Sequence, residues 1–293
     1  MVGAKSRIEN IAYRIPAMIR YWTNFLKDHF GTQQYDFDKL RFTCNLCGRE
    51  NKIPLRRLTR EEATCSCGST VRSRALINVL SKELFGFSYV IADMPLRQDI
   101  FGIDMSGMAT YSDRLVNRLG YMNTYLHKKP QLDIVAPGSQ WLGRCDFVIS
   151  SDVFEHVTPP VSRAFGNALR LLKPGGVLIL TVPYSKMSET IEHFPDLHDY
   201  RIEVRDGKRI LLNITVDGES EEFDDLVFHG GAGHTLEMRV FSESGLLGEL
   251  QRAGFTDIHI YNENCLDYGI FWKDDTGVPV TARRPLYLGV NGV

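Results

Sequence analysis

The stretch Asp146-Phe147-Val148-Ile149-Ser150-Ser151-Asp152-Val153-Phe154-Glu155-His156-Val157, continued by Leu171-Leu172-Lys173-Pro174-Gly175-Gly176-Val177-Leu178-Ile179-Leu180-Thr181-Val182, decides the fold. Residues 147–151 and 177–182 are short, largely apolar runs, the pattern of strands buried on both faces of a parallel sheet. Pro159-Pro160 blocks continuation after the first run, and Val161 to Leu172 places Phe165, Leu169 and Leu172 on one helical face. Lys173-Pro174-Gly175-Gly176 reads as the turn that stops this helix. Strand, helix and strand in this order make one βαβ unit.

The ordered combination SSDVFEHV (150–157), helix and LLKPGGVLILTVP (171–183) resembles the fourth and fifth strands of class I S-adenosylmethionine-dependent methyltransferases, of the type 11-like kind. The resemblance extends over roughly residues 100–293. It implies an α/β, Rossmann-like sheet, mostly parallel with the last strand antiparallel, and S-adenosylmethionine as cofactor. Downstream, Ser242 to Ala253 reads as a helix with an N-terminal serine and a terminating Gly254, followed by strands over 255–261 and 286–290.

Upstream, the family's glycine-rich GxGxG turn is absent. A first strand at Tyr89–Asp93 leaves too few residues for a crossover before Ile103-Asp104. The preferred register makes Ile100–Ile103 the first strand, Asp104-Met105-Ser106-Gly107 the cofactor turn, Tyr111–Leu119 the helix and Tyr121–Tyr125 the second strand. On the resemblance, the cofactor-binding residues are then Gly102, Asp104, Ser106 and Gly107 at the methionine and ribose end, Asn123 and Thr124 near the ribose hydroxyls, Asp133 and Ile134 beside the adenine, with Ser151 and Asp152 at the end of strand four.

Ahead of this domain, Cys44-x2-Cys47 and Cys65-x-Cys67 lie seventeen residues apart. Two close pairs of thiolates with Gly48 and Gly68 after each pair read as two knuckles holding one structural zinc ion, a closed site without chemistry. Cys145 and Cys265 read as small buried hydrophobes. The module is rich in arginine and lysine, including Arg60, Arg72 and Arg74, which read as a solvated face. From Ser73 the pattern Leu76, Val79, Leu80 and Leu84 predicts a helix ending at Gly86. Domain limits follow as 1–40 for an N-terminal helical segment, 41–86 for the zinc module and 87–293 for the methyltransferase domain with an insertion at 184–240.

That insertion is far longer than an ordinary connection and reads as a substrate lid. Residues 200–204 and 209–216, joined through Asp206-Gly207, predict a β-hairpin. Half of the chain's eight histidines are in the insertion. His193, His198 and His156, with His234, are candidates for removing a proton from an acceptor hydroxyl. The spacings His193-x4-His198 and His229-x4-His234 also invite a second metal, completed by Asp196 or Glu192.

The chain has 293 residues, 43% of them hydrophobic, and a formal net charge of −2, so nothing global calls for a polyanionic partner. No signal peptide and no apolar run long enough for a membrane span is read, and a soluble, cytoplasmic enzyme is expected. The leading function is methylation of a hydroxyl on a small-molecule or glycan-linked acceptor, a class taken from the resemblance. Two alternatives remain open. One is an interaction protein that keeps the fold without the cofactor. The other is a nucleic-acid methyltransferase gripping with the basic module.

Overall fold

The computed structural model describes residues 38–229, 235–274 and 276–287. The chain divides into two units, 1–39 and 40–293. The N-terminal helical segment expected over 1–40 lies, up to residue 37, outside the described residues, as does the candidate His234.

Strands β1 (Lys39–Thr43) and β2 (Glu50–Pro54) form a small sheet carrying the first cysteine pair between them. Helix α1 (Val71–Phe85) starts at a capping box, in which the Thr70 hydroxyl accepts from the Ser73 amide at 3.2 Å and the Ser73 hydroxyl accepts from the Thr70 amide at 2.9 Å. It ends at Gly86 with φ 77°, as the sequence predicts.

The main sheet follows: β3 (Arg97–Met105), α2 (Ala109–Leu115), β4 (Leu119–Thr124), β5 (Cys145–Ser151), α3 (Ser162–Leu171) and β6 (Leu172–Thr181). After an insertion come α4 (Glu243–Ala253) and two closing strands, Thr256–Ile260 and Val280–Arg283. β4, β3, β5 and β6 pair in parallel in that order. The strand Val280–Arg283 runs antiparallel beside β6 and separates it from Thr256–Ile260. The α/β class, the mixed sheet and the preferred register are as expected.

Two details differ. The closing antiparallel strand is Val280–Arg283; Leu286 and Tyr287, assigned to it by their apolar character, are exposed. Lys173-Pro174-Gly175-Gly176 is no turn but lies inside β6. Pairing with β5 slips there, from Cys145 opposite Leu172 to Phe147 opposite Val177, and Gly175 takes φ 77°. The extra residues are absorbed as a bulge, which a glycine at positive φ permits.

The two faces of the sheet carry separate cores. One joins Ile103, Val148 and Leu180 to α3 and α4 through Phe165, Ala168, Leu246 and Leu250. The other runs from Phe147, Ile149, Val177 and Ile179 through Leu76 and Leu80 of α1 to Leu46 and Cys44. The cysteine loops therefore share a continuous core with the sheet.

The insertion contains β7 (Tyr184–Ser185), β8 (Ile191–Glu192), β9 (Asp199–Arg205), β10 (Lys208–Ile214), β11 (Ser220–Phe223), β12 (Phe228–His229), β13 (Thr235–Leu236) and β14 (Arg239–Ser242). The closing strands become β15 and β16. The predicted hairpin is β9–β10, antiparallel, with Asp206 and Gly207 at φ 51° and 79°, the backbone that a two-residue I′ turn needs. Phe194, Leu211, Leu236 and Met238 give the insertion its own small core.

Candidate functional site

Chain order places β4 on one side of β3 and β5 on the other. The two crossovers leave the sheet in opposite directions between β3 and β5, and in parallel sheets ligands bind beyond the carboxyl ends of the strands at such a point. The residues there are Asp104-Met105 closing β3, the turn Ser106-Gly107-Met108, and Ser151-Asp152 closing β5.

The β3 turn is built on a buried carboxylate. Tyr111 and Tyr121 hydroxyls donate to Asp104 Oδ2 at 2.8 and 3.1 Å, while Asp104 Oδ1 is buried without a partner. Burial pushes the Asp104 carboxyl up to about 7, against the pull of the two hydroxyls. Ser106 stands at φ 60°, a left-handed conformation that a glycine adopts more readily. At Gly107 a Cβ would come within 2.3 Å of Asp104 Oδ2 and 2.8 Å of the Tyr121 hydroxyl, so only glycine fits. The Asn123 side chain clamps the turn, accepting from the Gly107 amide and donating to its carbonyl, both at 2.8 Å. The Thr124 hydroxyl donates to the Asp104 carbonyl at 2.9 Å. Asn123 and Thr124 thus hold the turn, and their polar atoms are engaged within the protein.

Other sequence-predicted residues are placed as follows. Gly102 lets the Phe147 ring approach, since a Cβ would meet that ring at 2.3 Å. Asp133 is half-buried and folds its carboxylate onto the Val135 amide at 2.9 Å, beside an open cleft of about 790 Å³. Ile134 is buried in the core.

At the end of β5 the structure brings in residues that the sequence reading left on the surface. Arg60 donates to Asp152 Oδ2 and Oδ1 at 2.9 and 2.6 Å and to the Gly277 carbonyl at 2.9 Å. Arg72 donates to the Ser151 hydroxyl at 2.6 Å and is held by Glu61 at 2.8 and 2.6 Å. Although burial raises it, the two guanidiniums hold the Asp152 carboxyl below the usual range. The solvated-face reading is corrected further at Arg74, which is fully buried, donates to Ser69 and to the Gly269 carbonyl, and lies over the Phe42 ring.

Cys44, Cys47, Cys65 and Cys67 converge, with all four sulfurs within 4.8 Å of one another. Cys44 to Cys67 is 3.7 Å and Cys47 to Cys65 is 3.6 Å. Gly48 and Gly68 adopt φ 77° and 84° at the two knuckles.

Past β5, Phe154–His156 forms a single 3-10 turn. The buried Arg239 guanidinium donates to the carbonyls of Phe154 and Val157 at 2.9 and 2.6 Å and fixes that turn. His156 donates through Nδ1 to the Leu236 carbonyl at 2.9 Å. His193 and His229 share one carboxylate, with Nε2 atoms 3.0 and 2.8 Å from Glu237 Oε1 and Oε2. His156 and His229 meet edge to face, ring centroids 5.4 Å apart. His198 is exposed and joins none of these contacts. His193-x4-His198 does not bring its two histidines together, and His234 of the other pair lies outside the described residues; among the described residues, Glu155, His156 and His229 form the histidine-containing group within metal-ligating reach.

A family model described as a methyltransferase domain matches residues 76–260. The chain belongs to this family and is an S-adenosylmethionine-dependent methyltransferase. A comparison with curated proteins finds no match. Among solved structures, the chain is similar to the 1,6-didemethyltoxoflavin-N1-methyltransferase of Burkholderia thailandensis, at 14% identity and TM-score 0.41, covering 73% of this chain and 78% of that one. It is also similar to CalS10, an amino pentose methyltransferase from Micromonospora echinaspora, at 13% identity and TM-score 0.41, covering 74% and 92%. No helix among the described residues is long and apolar enough to cross a membrane.

Proposed function

We propose that the chain binds S-adenosylmethionine across the carboxyl ends of β3 and β5 and methylates a hydroxyl of a small-molecule or glycan-linked acceptor. The observation that carries the reading is the turn at Ser106-Gly107, held bare of side chain at Gly107 by Asp104 and Tyr121 and clamped by Asn123. A turn so tightly fixed, with a glycine at its centre, fits a cofactor that must approach the backbone closely. The residues proposed to hold it are Gly102, Asp104, Ser106, Gly107, Asn123 and Thr124 through the turn and the strand ends that carry it, Asp133 at the cleft with its buried neighbour Ile134, and Ser151 and Asp152 opposite.

When bound, the cofactor supplies an electrophilic methyl group on a sulfonium. The protein's part is to hold the acceptor oxygen in line and to take its proton. His193 suits that role best: Glu237 accepts from its Nε2 and so leaves Nδ1 with a free lone pair. His198 has no such partner, and His156 is half-buried with Nδ1 committed to Leu236. The insertion carrying His193 serves as the lid over the acceptor.

For the cysteine cluster we propose one structural zinc. Four ligands at about 2.3 Å in a tetrahedron stand about 3.8 Å apart, close to the two sulfur separations of 3.7 and 3.6 Å. Four thiolates around Zn2+ carry a net double negative charge. That charge answers the buried Arg74 guanidinium, whose attraction to Cys44, Cys65 and Cys67 opposes the desolvation that lowers its pKa.

The test is an acceptor screen reading S-adenosylhomocysteine release, with nucleotide sugars and small hydroxylated compounds. Turnover with a hydroxyl acceptor that drops at least about a hundredfold in His193→Ala is expected, the scale of a lost general base. Turnover confined to amine or carbon acceptors would refute the acceptor class.

A further inference from the structure

Glu155 is 0% exposed, and neither of its carboxylate oxygens has a hydrogen-bond partner. A buried carboxylate left in this state is strongly unfavourable unless a cation or a proton joins it. The groups facing it are arranged for a cation. His156 lies beside it, with Nε2 3.7 Å from Glu155 Oε1. Because the Leu236 carbonyl can only accept, the His156 proton sits on Nδ1 and Nε2 presents a lone pair. His229 gives its Nε2 to Glu237, which leaves its Nδ1 as the lone-pair nitrogen. One ligating atom from each of Glu155, His156 and His229 lies within 4.8 Å of the others.

We propose that Glu155, His156 and His229 bind one divalent first-row transition-metal ion, separate from the four-cysteine site. A donor set of two neutral imidazoles and one carboxylate suits ions such as Mn2+, Fe2+ or Zn2+ and is poor for Ca2+. Each imidazole hands its other nitrogen's proton to an oxygen, Leu236 for one and Glu237 for the other, which is how metal-bound histidines are held. Arg239 anchors the backbone of the Phe154–Val157 turn on which two of the ligands stand.

Three protein ligands leave coordination positions open. The turn follows β5 directly, so an acceptor oxygen bound there is activated by lowering its pKa. This consequence rests on the methyltransferase reading. The metal site itself does not.

The experiment uses the full chain, stripped of loosely held metal and titrated with Mn2+ alone, without S-adenosylmethionine or acceptor. Binding is followed by loss of the free-ion electron paramagnetic resonance signal. Thiolates take up Mn2+ poorly, so the cysteine site stays silent. A Co2+ titration runs in parallel: uptake at the proposed site gives weak visible bands, and uptake at cysteines gives intense sulfur-to-metal charge transfer. The expected result is one Mn2+ per chain at micromolar affinity, weakened at least about tenfold in both Glu155→Gln and His229→Ala. His229 is 36% exposed on its side chain, which keeps that variant foldable where a change at Glu155 disturbs packing. No uptake of Mn2+ or Co2+ beyond the cysteine site overturns the proposal, as does wild-type affinity in His229→Ala.

Discussion

Arg60, from the loop between the two cysteine pairs, and Asp152, at the end of β5, are joined by two hydrogen bonds of 2.9 and 2.6 Å across 92 residues of sequence. Through this pair the cysteine module reaches the crevice of the methyltransferase domain. Their side chains are only 22% and 19% exposed, so removing Arg60 takes two hydrogen bonds from a poorly hydrated carboxylate and leaves it to Arg72 at 3.2 Å and the Thr181 hydroxyl at 3.0 Å. Arg60→Ala is expected to cost about 1–3 kcal/mol by denaturant unfolding. Asp152→Asn in the same background should restore part of the loss. A cycle without coupling would show that the pair contributes nothing.

The cysteine knuckles should not unfold alone, because Cys44 and Leu46 belong to the core that includes α1 and the inner face of the sheet. Cys44→Ser is expected to release one zinc per chain and to lower the melting temperature of the whole second unit. Elemental analysis and calorimetry check this. Unchanged zinc content would remove the four-cysteine site.

Asp104 makes stability fall as pH rises. Its folded pKa of about 7 lies above its ordinary value of 3.8. Between those values the folded state holds a proton that the unfolded state has lost, so stability is fullest below about pH 4 for this group and declines through pH 7. Asp104→Asn, which mimics the protonated form, should flatten the decline between pH 4 and 7. Glu155, pushed up to about 8 by burial in metal-free protein, acts in the same direction and leaves a residual slope. An equally steep profile in Asp104→Asn would contradict the assignment.

The turn offers a paired test. Ser106→Gly relieves a serine held at φ 60° and should stabilise the protein by about 0.5–1 kcal/mol without weakening the cofactor. Gly107→Ala drives a methyl group against Asp104 and Tyr121 and should weaken S-adenosylhomocysteine binding at least about tenfold. Equal binding in both variants would detach the turn from the cofactor.

Local signals are legible in the sequence. Gly86 and Gly254 end α1 and α4 at φ 77° and 94°, and Ser242 caps α4 through the Gly245 amide, as their positions in the sequence imply. Asp206-Gly207 forms the expected hairpin turn. What escaped the sequence is what depends on distance. Nothing local ties Arg60 or Arg72 to β5, so both read as surface charge. His156 and His229 meet only because the insertion folds back over the β5 end, and no spacing rule spans that gap. Val280–Arg283 is a four-residue strand with polar members, weaker in pattern than the apolar run at 286–290, and only pairing with β6 reveals it.

The central claim is tested most directly by calorimetric titration of the full chain with S-adenosylmethionine and, separately, with S-adenosylhomocysteine. Micromolar binding of either, lost in Gly107→Ala, is the predicted result. No binding of either ligand at millimolar concentration would contradict a cofactor site on the Ser106-Gly107 turn and leave the fold as an interaction scaffold.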